Sequence, residues 1–309
     1  VPVSLHLRVP HHLVAGRADA LAAFVARVEA STIDGLAVGD HVSFKGGQGY
    51  DGLVQATALA TMSRRLAIWT SVYLLALRHP VTVARQVSSL VALCPGRFVF
   101  GVGLGGDDPH ELEVCGVDPR RRGARLDECL DVVRALLAGE TVTSTSPTLP
   151  VPGALIRPVP DPAVPIVVGG RSDAALRRAG RAGDGWLGVW HSPSRVATAL
   201  ATVAATALEH GRVGEPRRRA YAAWCGLDAD VTRARDLVAG AMEGLYQQPF
   251  ATFERYVPTG GPEAVADALV PYLEAGIEDI VLLAVGADDD ALVDQVAEVR
   301  ELLVARTAG

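Results

Sequence analysis

Two kinds of hydrophobic pattern alternate along the chain. Short runs rich in β-branched and aromatic residues are separated by longer stretches in which apolar positions recur every three or four residues. The first pattern marks buried strands, the second helices that lay one face on a core. Strands are predicted at 3–9, 33–38, 66–73, 97–103, 164–169, 184–190, 219–225 and 279–285. Between them, Leu126, Leu130, Val133 and Leu137 mark a helix over 123–138 that Gly139 can stop. Pro80 suits the first turn of a helix over 80–93, and a last helix covers 288–305. Alternating strand and helix implies a parallel sheet covered by helices, and eight such units imply a closed ring. The fold class is therefore α/β, a single-domain (β/α)8 TIM barrel over residues 1–309. Two stretches exceed the minimal unit and are expected as insertions. One is 139–163, rich in Pro, Ser and Thr, after helix 4; the other is 226–261, with an extra helix and the segment YQQPF, after strand 7.

Charge and composition narrow the function classes. The formal net charge is -6, and no stretch interleaves Lys or Arg with aromatic residues, so a nucleic-acid partner is not expected. The most apolar stretch, LAIWTSVYLLAL at 66–77, is about half the length of a membrane helix and reads as a buried strand. The opening VPVSLHLRVP lacks the basic region and apolar run of a signal peptide, so it is expected to enter the fold directly. Cys94, Cys115, Cys129 and Cys225 are far apart and form no CxxC pair, which points away from a metal site and from a disulfide framework. A reduced, cytoplasmic protein that acts on a small molecule, away from membranes, is the expectation.

In such barrels the loops at the carboxyl ends of the strands converge over a packed interior, and sites form there. Those ends carry His11 and His12, Asp40 and His41, Ser71 to Tyr73, the glycines of GVGLGG, the GGRSD turn, Trp190 with His191, and Trp224. In VPIVVGGRSDAALRRAGRAGDGW, residues 164–186, a strand leads through Gly169 and Gly170 to Arg171, Ser172 and a helix. Glycines allow close backbone approach, a helix start presents unpaired amides, and Arg171 can pair with a phosphate. The same residues also suit a plain turn with Ser172 as helix cap. FVFGVGLGGDD does not fit a dinucleotide-binding register; its glycines either let a flat ligand lie on strand four or relieve crowding in the barrel. Asp40 and His41 alone would be a capping acid and a half-exposed imidazole. At a barrel mouth, His41 can give or take a proton and Asp40 can hydrogen-bond the edge of a ligand ring. Arg78 reads as a helix-start residue or a surface partner for an acid, and His79 as a packing or capping residue.

Taken together, GDH after strand two, TSVYLLALRHPVTVARQVSSLVALCPGRFVFGVGLG, RRGARLDECLDVVRALLAGE and PIVVGGRSDAALRRAGRAGDGW resemble the bacterial-luciferase-like oxidoreductases. The likeness runs over essentially the whole chain, through TGGPEAVADALVPYLEAGIEDIVLL. It implies a barrel that binds coenzyme F420, a deazaflavin, or alternatively FMN, with the ring at the mouth; the aspartate–histidine pair is similar to that of the F420-dependent branch. By the same resemblance Asp40 contacts the ring and His41 acts on the substrate as proton donor or acceptor. Ser71 and Val72 form a bulge behind the ring, in relatives often with a non-proline cis peptide. Leu104, Gly105 and Gly106 flank the ring or its linker, and Gly169, Gly170, Arg171 and Ser172 hold the phosphate. His11, His12, Phe44, Trp190 and Trp224 are candidates for the substrate pocket; Phe44 stands where deazaflavin-dependent sugar-phosphate dehydrogenases carry tryptophan. The functional expectation is an F420-dependent oxidoreductase. The alternatives are an FMN-dependent monooxygenase served by a separate flavin reductase, and a non-catalytic flavin-binding protein. Relatives often pair through helices near strands two and three, which makes a homodimer an open option.

Overall fold

Eight parallel strands close into a ring. The computed structural model describes residues 3–212 and 218–307, so both ends of the predicted domain and residues 213–217 lie outside the described residues. The barrel strands are β1 (Ser4–Arg8), β2 (Gly35–Val38), β3 (Ala67–Thr70), β4 (Phe98–Val102), β5 (Ile166–Gly169), β6 (Gly185–Gly188), β7 (Arg218–Leu227) and β8 (Asp279–Val285). Each pairs with its neighbours in chain order, and β8 returns to β1 with Asp279 opposite Ser4. The last gap closes where β6 meets β7, Gly185 opposite Arg218. Every predicted strand is present. Strand β3 stops at Thr70, short of its predicted end; the Ser71–Val72 peptide that follows is cis, and Tyr73 rejoins the sheet as a bridge to Val102.

Side chains on alternate positions of each strand feed two separate cores. Outward residues such as Leu5, Leu7, Leu36, Ile68, Phe98, Phe100, Val168 and Leu282 are buried under the surrounding helices. Inward residues fill the ring itself: Ala37, Trp69, Val99, Val167, Leu187, Ala220 and Val281, with Val72 packed on them. The filled interior is a floor and not a pore, so any ligand must sit above it, at the carboxyl ends.

The helices that cover the ring begin with local signals present in the sequence. Pro80, Pro193 and Pro262 occupy first-turn positions, where no amide partner is lost. Asp51, Ser172 and Asp230 cap helix starts through their side chains. Following the helix Arg122–Leu137, the chain forms a two-stranded antiparallel hairpin, Val142–Ser146 with Leu149–Ala154. Following β7 it forms the additional helix Val231–Tyr246. That helix packs on the upper end of the barrel through a small cluster containing Trp224, Val238, Met242, Phe250 and Val257. Among the described residues no helix is long and apolar enough to cross a membrane.

Candidate active site at the barrel mouth

The loop after β2 is held from below by a buried ion pair. One oxygen of Asp40 accepts from the amide of Gly52 at 2.8 Å and from Arg78 Nη2 at 2.8 Å. The other accepts from the amide of Leu74 at 2.8 Å and from Arg78 Nη1 at 2.5 Å. Arg78 also reaches Asp51 at 2.9 Å. Burial pushes the Asp40 carboxyl up, and Arg78 with the two amides pulls it back. With its side chain fully buried and four donors on two oxygens, Asp40 has no lone pair left for a ligand. In this arrangement Asp40 holds the surrounding segments in position. Asp40 fixes the start of the helix Gly52–Met62, the segment after β3, and the loop between β2 and that helix.

His41, the next residue, faces the mouth. Its Nδ1 lies 3.2 Å from both carboxylate oxygens of Glu111, and its ring stacks on Phe44 with centroids 4.1 Å apart. Glu111 is buried and also accepts from the amides of Val42 at 2.7 Å and Ser43 at 3.3 Å. Burial opposes its charge, yet His41 and these amides hold its carboxyl below the ordinary carboxylate range. Sequence reasoning missed Glu111. In DPHE, residues 108–111, the pattern is that of a helix start, with Asp108 as cap and a glutamate three residues on. Asp108 does cap this short helix by accepting from the amide of His110, but Glu111 turns away to the loop 41–43.

Behind the mouth, the cis peptide lets Val72 fold inward over the ring of strands. A Cβ on Gly103 would come within 2.4 Å of Val72 Cγ2, and one on Gly169 within 2.7 Å of Val72 Cγ1. A Cβ on Gly101 would strike the carbonyl oxygen of Thr70 at 2.0 Å. Gly101 in β4, Gly103 just after it and Gly169 in β5 thus make room for the bulge of β3. Ser71 is anchored through its amide to Val38 and through its carbonyl to Arg8. Leu104 packs on the main core. Gly105 and Gly106 turn the following loop with φ of +66° and +117°.

The turn after β5 leads straight into a helix start. Gly170 takes a φ of +137°, Arg171 is exposed, and Ser172 caps the helix Asp173–Ala182 by accepting from the amide of Ala175. The neighbouring rim adds a residue that sequence reasoning did not single out. Arg122 Nε is buried without a hydrogen-bond partner, and a Cβ on Gly106 would lie 3.1 Å from it. An unused buried donor beside a glycine loop is what a bound phosphate would satisfy. Since all eight strands run parallel, Arg171 after β5 and His41 after β2 lie on the same end of the ring.

The neighbouring side, after β6 and β7, is aromatic. Trp190, with φ +55°, packs against Phe253 at 4.9 Å between ring centroids and against Tyr246 at 6.1 Å. Trp224 stands behind them, buried, donating to the Tyr246 hydroxyl at 3.2 Å, so it supports the wall and is not part of its surface. His11 lies over Tyr50 with ring centroids 5.5 Å apart; burial and the nearby Arg8, His12 and His41 lower its pKa. His12 is exposed and paired with Asp289 at 2.8 Å. His191 is likewise structural, its ring nitrogen on the Val189 carbonyl and its own carbonyl accepting from Tyr221 and Tyr272. Lys45 ties the β2 loop across the mouth by donating to the carbonyls of Leu245 and Tyr246. Among the described residues no cluster of three His, Cys, Asp or Glu side chains could hold a metal ion.

Comparison with known proteins gives this geometry a context. The sequence model of luciferase-like monooxygenases matches residues 3–306. An uncharacterized protein of Mycobacterium tuberculosis is 37% identical over 159 residues, so the match spans about half of each, 52% of this chain and 54% of the relative. A protein named F420-dependent glucose-6-phosphate dehydrogenase, from Kribbella flavida, is 27% identical over 307 residues, covering 90% of this chain and 92% of its own. Among solved structures, an F420-dependent secondary alcohol dehydrogenase in complex with an F420-acetone adduct superposes with a TM-score of 0.85 at 20% identity, covering 98% of this chain and 99% of its own. The oxygenating component of a type II Baeyer–Villiger monooxygenase from Pseudomonas putida, in complex with FMN, superposes with a TM-score of 0.78 at 16% identity, with 98% coverage of both chains. At these identities the two structures show the shared fold.

Proposed function

We propose, because the chain belongs to the family of luciferase-like monooxygenases, that it is an oxidoreductase working with coenzyme F420 on an organic substrate, and that His41 gives or takes the substrate proton. The observation that carries this reading is the His41–Glu111 pair, 3.2 Å apart at the open end of the ring. An ionised Glu111 keeps a proton on Nδ1 of His41, which leaves Nε2 for the substrate. There Nε2 accepts a proton when the substrate is oxidised and, once protonated, donates one when it is reduced. Phe44, stacked on the imidazole, keeps the ring plane from turning away. Asp40 and Arg78 hold the loop that carries both.

When bound, the deazaflavin supplies the carbon that gives or receives the hydride. The residues of this chain that suit it are the Ser71–Val72 bulge as a backing, the Leu104–Gly106 loop at its flank, and Arg122 with Gly170, Arg171 and Ser172 for its phosphate. The choice of F420 over FMN is supported by relatives matched along most of their length, named F420-dependent glucose-6-phosphate dehydrogenase in Kribbella flavida and Nocardia farcinica.

Titration of the purified protein with F420 and with FMN, followed by absorbance and by calorimetry, tests the reading. The expected outcome is saturable binding of F420 and at least tenfold weaker binding of FMN, a difference of about 1.4 kcal/mol. Tight uptake of FMN with none of F420 would overturn it in favour of an oxygen-activating enzyme fed by a flavin reductase.

A further inference from the structure

Arg8, the last residue of β1, has a charge that the fold leaves unbalanced. Two positions earlier His6 points into the ring, against Trp69 and Asp279, so the strand alternation turns Arg8 inward as well, one layer nearer the mouth. Its guanidinium lies on the bare backbone of Gly39, where a Cβ would come 1.9 Å from Nη2. Among the described residues its one hydrogen bond is from Nη1 to the Ser71 carbonyl at 3.1 Å, and no carboxylate stands within ion-pair distance. A guanidinium has five N–H donors, so most of the fork remains unused.

The surroundings add imidazole and apolar surface, and among the described residues no carboxylate pairs with Arg8. His11 is in electrostatic reach of both Arg8 and His41. Of the acids around the mouth, Asp40 is engaged by Arg78 and Glu111 by His41 and two amides, while Asp107 acts on the Tyr246 hydroxyl and not on Arg8. The other arginine directed into the ring, Arg218, is paired with Asp279 at 3.1 Å. Burial lowers the Arg8 pKa, and the Tyr246 hydroxyl works in the opposite direction. Tyr246 belongs to the same wall as Trp190 and Phe253. A half-buried cation of this kind is stabilised by an anion that brings its own apolar body.

We infer that Arg8 is a specificity-determining residue that receives the carboxylate of the substrate, and that the substrate is an organic acid whose apolar or aromatic part lies against Trp190 and Tyr246. A carboxylate matches one guanidinium in charge and in two-pronged geometry. A phosphate is better served on the β5 side, where Gly170, Ser172 and Arg122 gather donors. The inference rests on the oxidoreductase reading for the word substrate; the binding of an organic carboxylate at Arg8 stands apart from it.

The test uses phenylacetate and its neutral isostere phenylacetamide, titrated by calorimetry into the F420-loaded protein and into the protein alone. The expected result is at least tenfold tighter binding of the carboxylate than of the amide, a preference abolished in Arg8→Gln; because Arg8 also anchors the Ser71 carbonyl, F420 affinity is followed in the same variant and falls by less than carboxylate affinity. Arg8→Lys, which keeps the charge and loses the fork, should retain only part of the preference, and it serves as the deciding variant if Arg8→Gln does not fold. Equal affinity for acid and amide in the parent protein would overturn the inference, as would an Arg8→Lys protein that loses F420 and not the carboxylate. Should the protein bind neither F420 nor FMN and still prefer phenylacetate through Arg8, the proposed function fails and the carboxylate site stands.

Discussion

At the scale of single residues, the pair Asp40–Arg78 separates stability from chemistry. Removing one partner strands the other charge in a buried position, which costs roughly 3–5 kcal/mol. Arg78→Met is therefore expected to lower unfolding free energy by about that amount in a urea titration, and the double variant Asp40→Asn with Arg78→Met to recover part of it. If Arg78→Met were as stable as the parent, the ion pair would not be what holds the loop. The sequence made the candidates legible as an acid and an imidazole side by side, but not their division of labour. Both sit in one loop, and only the positions of Arg78 and Glu111, 38 and 70 residues away in the chain, decide which faces inward. Trp224 and Trp190 pose the same difficulty: both follow apolar strands, and one is wall while the other is support because of an added helix that pattern reading cannot dock.

Among the elements, the bulge after β3 and the glycines in and just after β4 act as one unit. Gly103→Ala places a methyl 2.4 Å from Val72 Cγ2, so something must move. Overpacking of this kind costs about 1–3 kcal/mol. Urea unfolding of Gly103→Ala, Val72→Ala and the double variant should give a favourable coupling, with Val72→Ala relieving most of the damage done by Gly103→Ala. Additive losses would mean that the two do not press on each other. Eight strands were readable because each is a short apolar run between helical periods, which is local information. The use of Gly101, Gly103 and Gly169 was not, since a glycine in a strand is compatible with a bound ligand and with a neighbour's side chain, and the sequence does not say which side chain leans over.

For the whole molecule, two buried carboxylates with depressed pKa contribute to the response to acid. Burial opposes ionisation of Asp279, but His6 and Arg218 hold its pKa below the ordinary value; Glu111 is likewise held low against burial by His41 and its amide donors. A depressed carboxylate contributes stability that is fully present above its unfolded pKa, about 4, and is lost as pH falls through the folded value. The urea midpoint is thus expected to stay flat from about pH 7 to 5 and to decline below about pH 4, and Asp279→Asn should reduce the midpoint near neutrality while making the acid decline shallower. An unchanged acid slope in Asp279→Asn would remove that residue from the account. Barrel closure was legible at this scale because the count of strand and helix units leaves little choice.

Ring closure also has a consequence in time. Strand β1, which bears Arg8, is flanked on one side by β8, whose partner for Ser4 is Asp279, some 270 residues further along. While a ribosome is still making the second half of the protein, that flank has nothing to bond to. The closed ring is therefore among the last features to exist, assembled only when the final strand has emerged and slotted in, so nascent chains halted before residue 279 carry Arg8 and His41 on an open sheet.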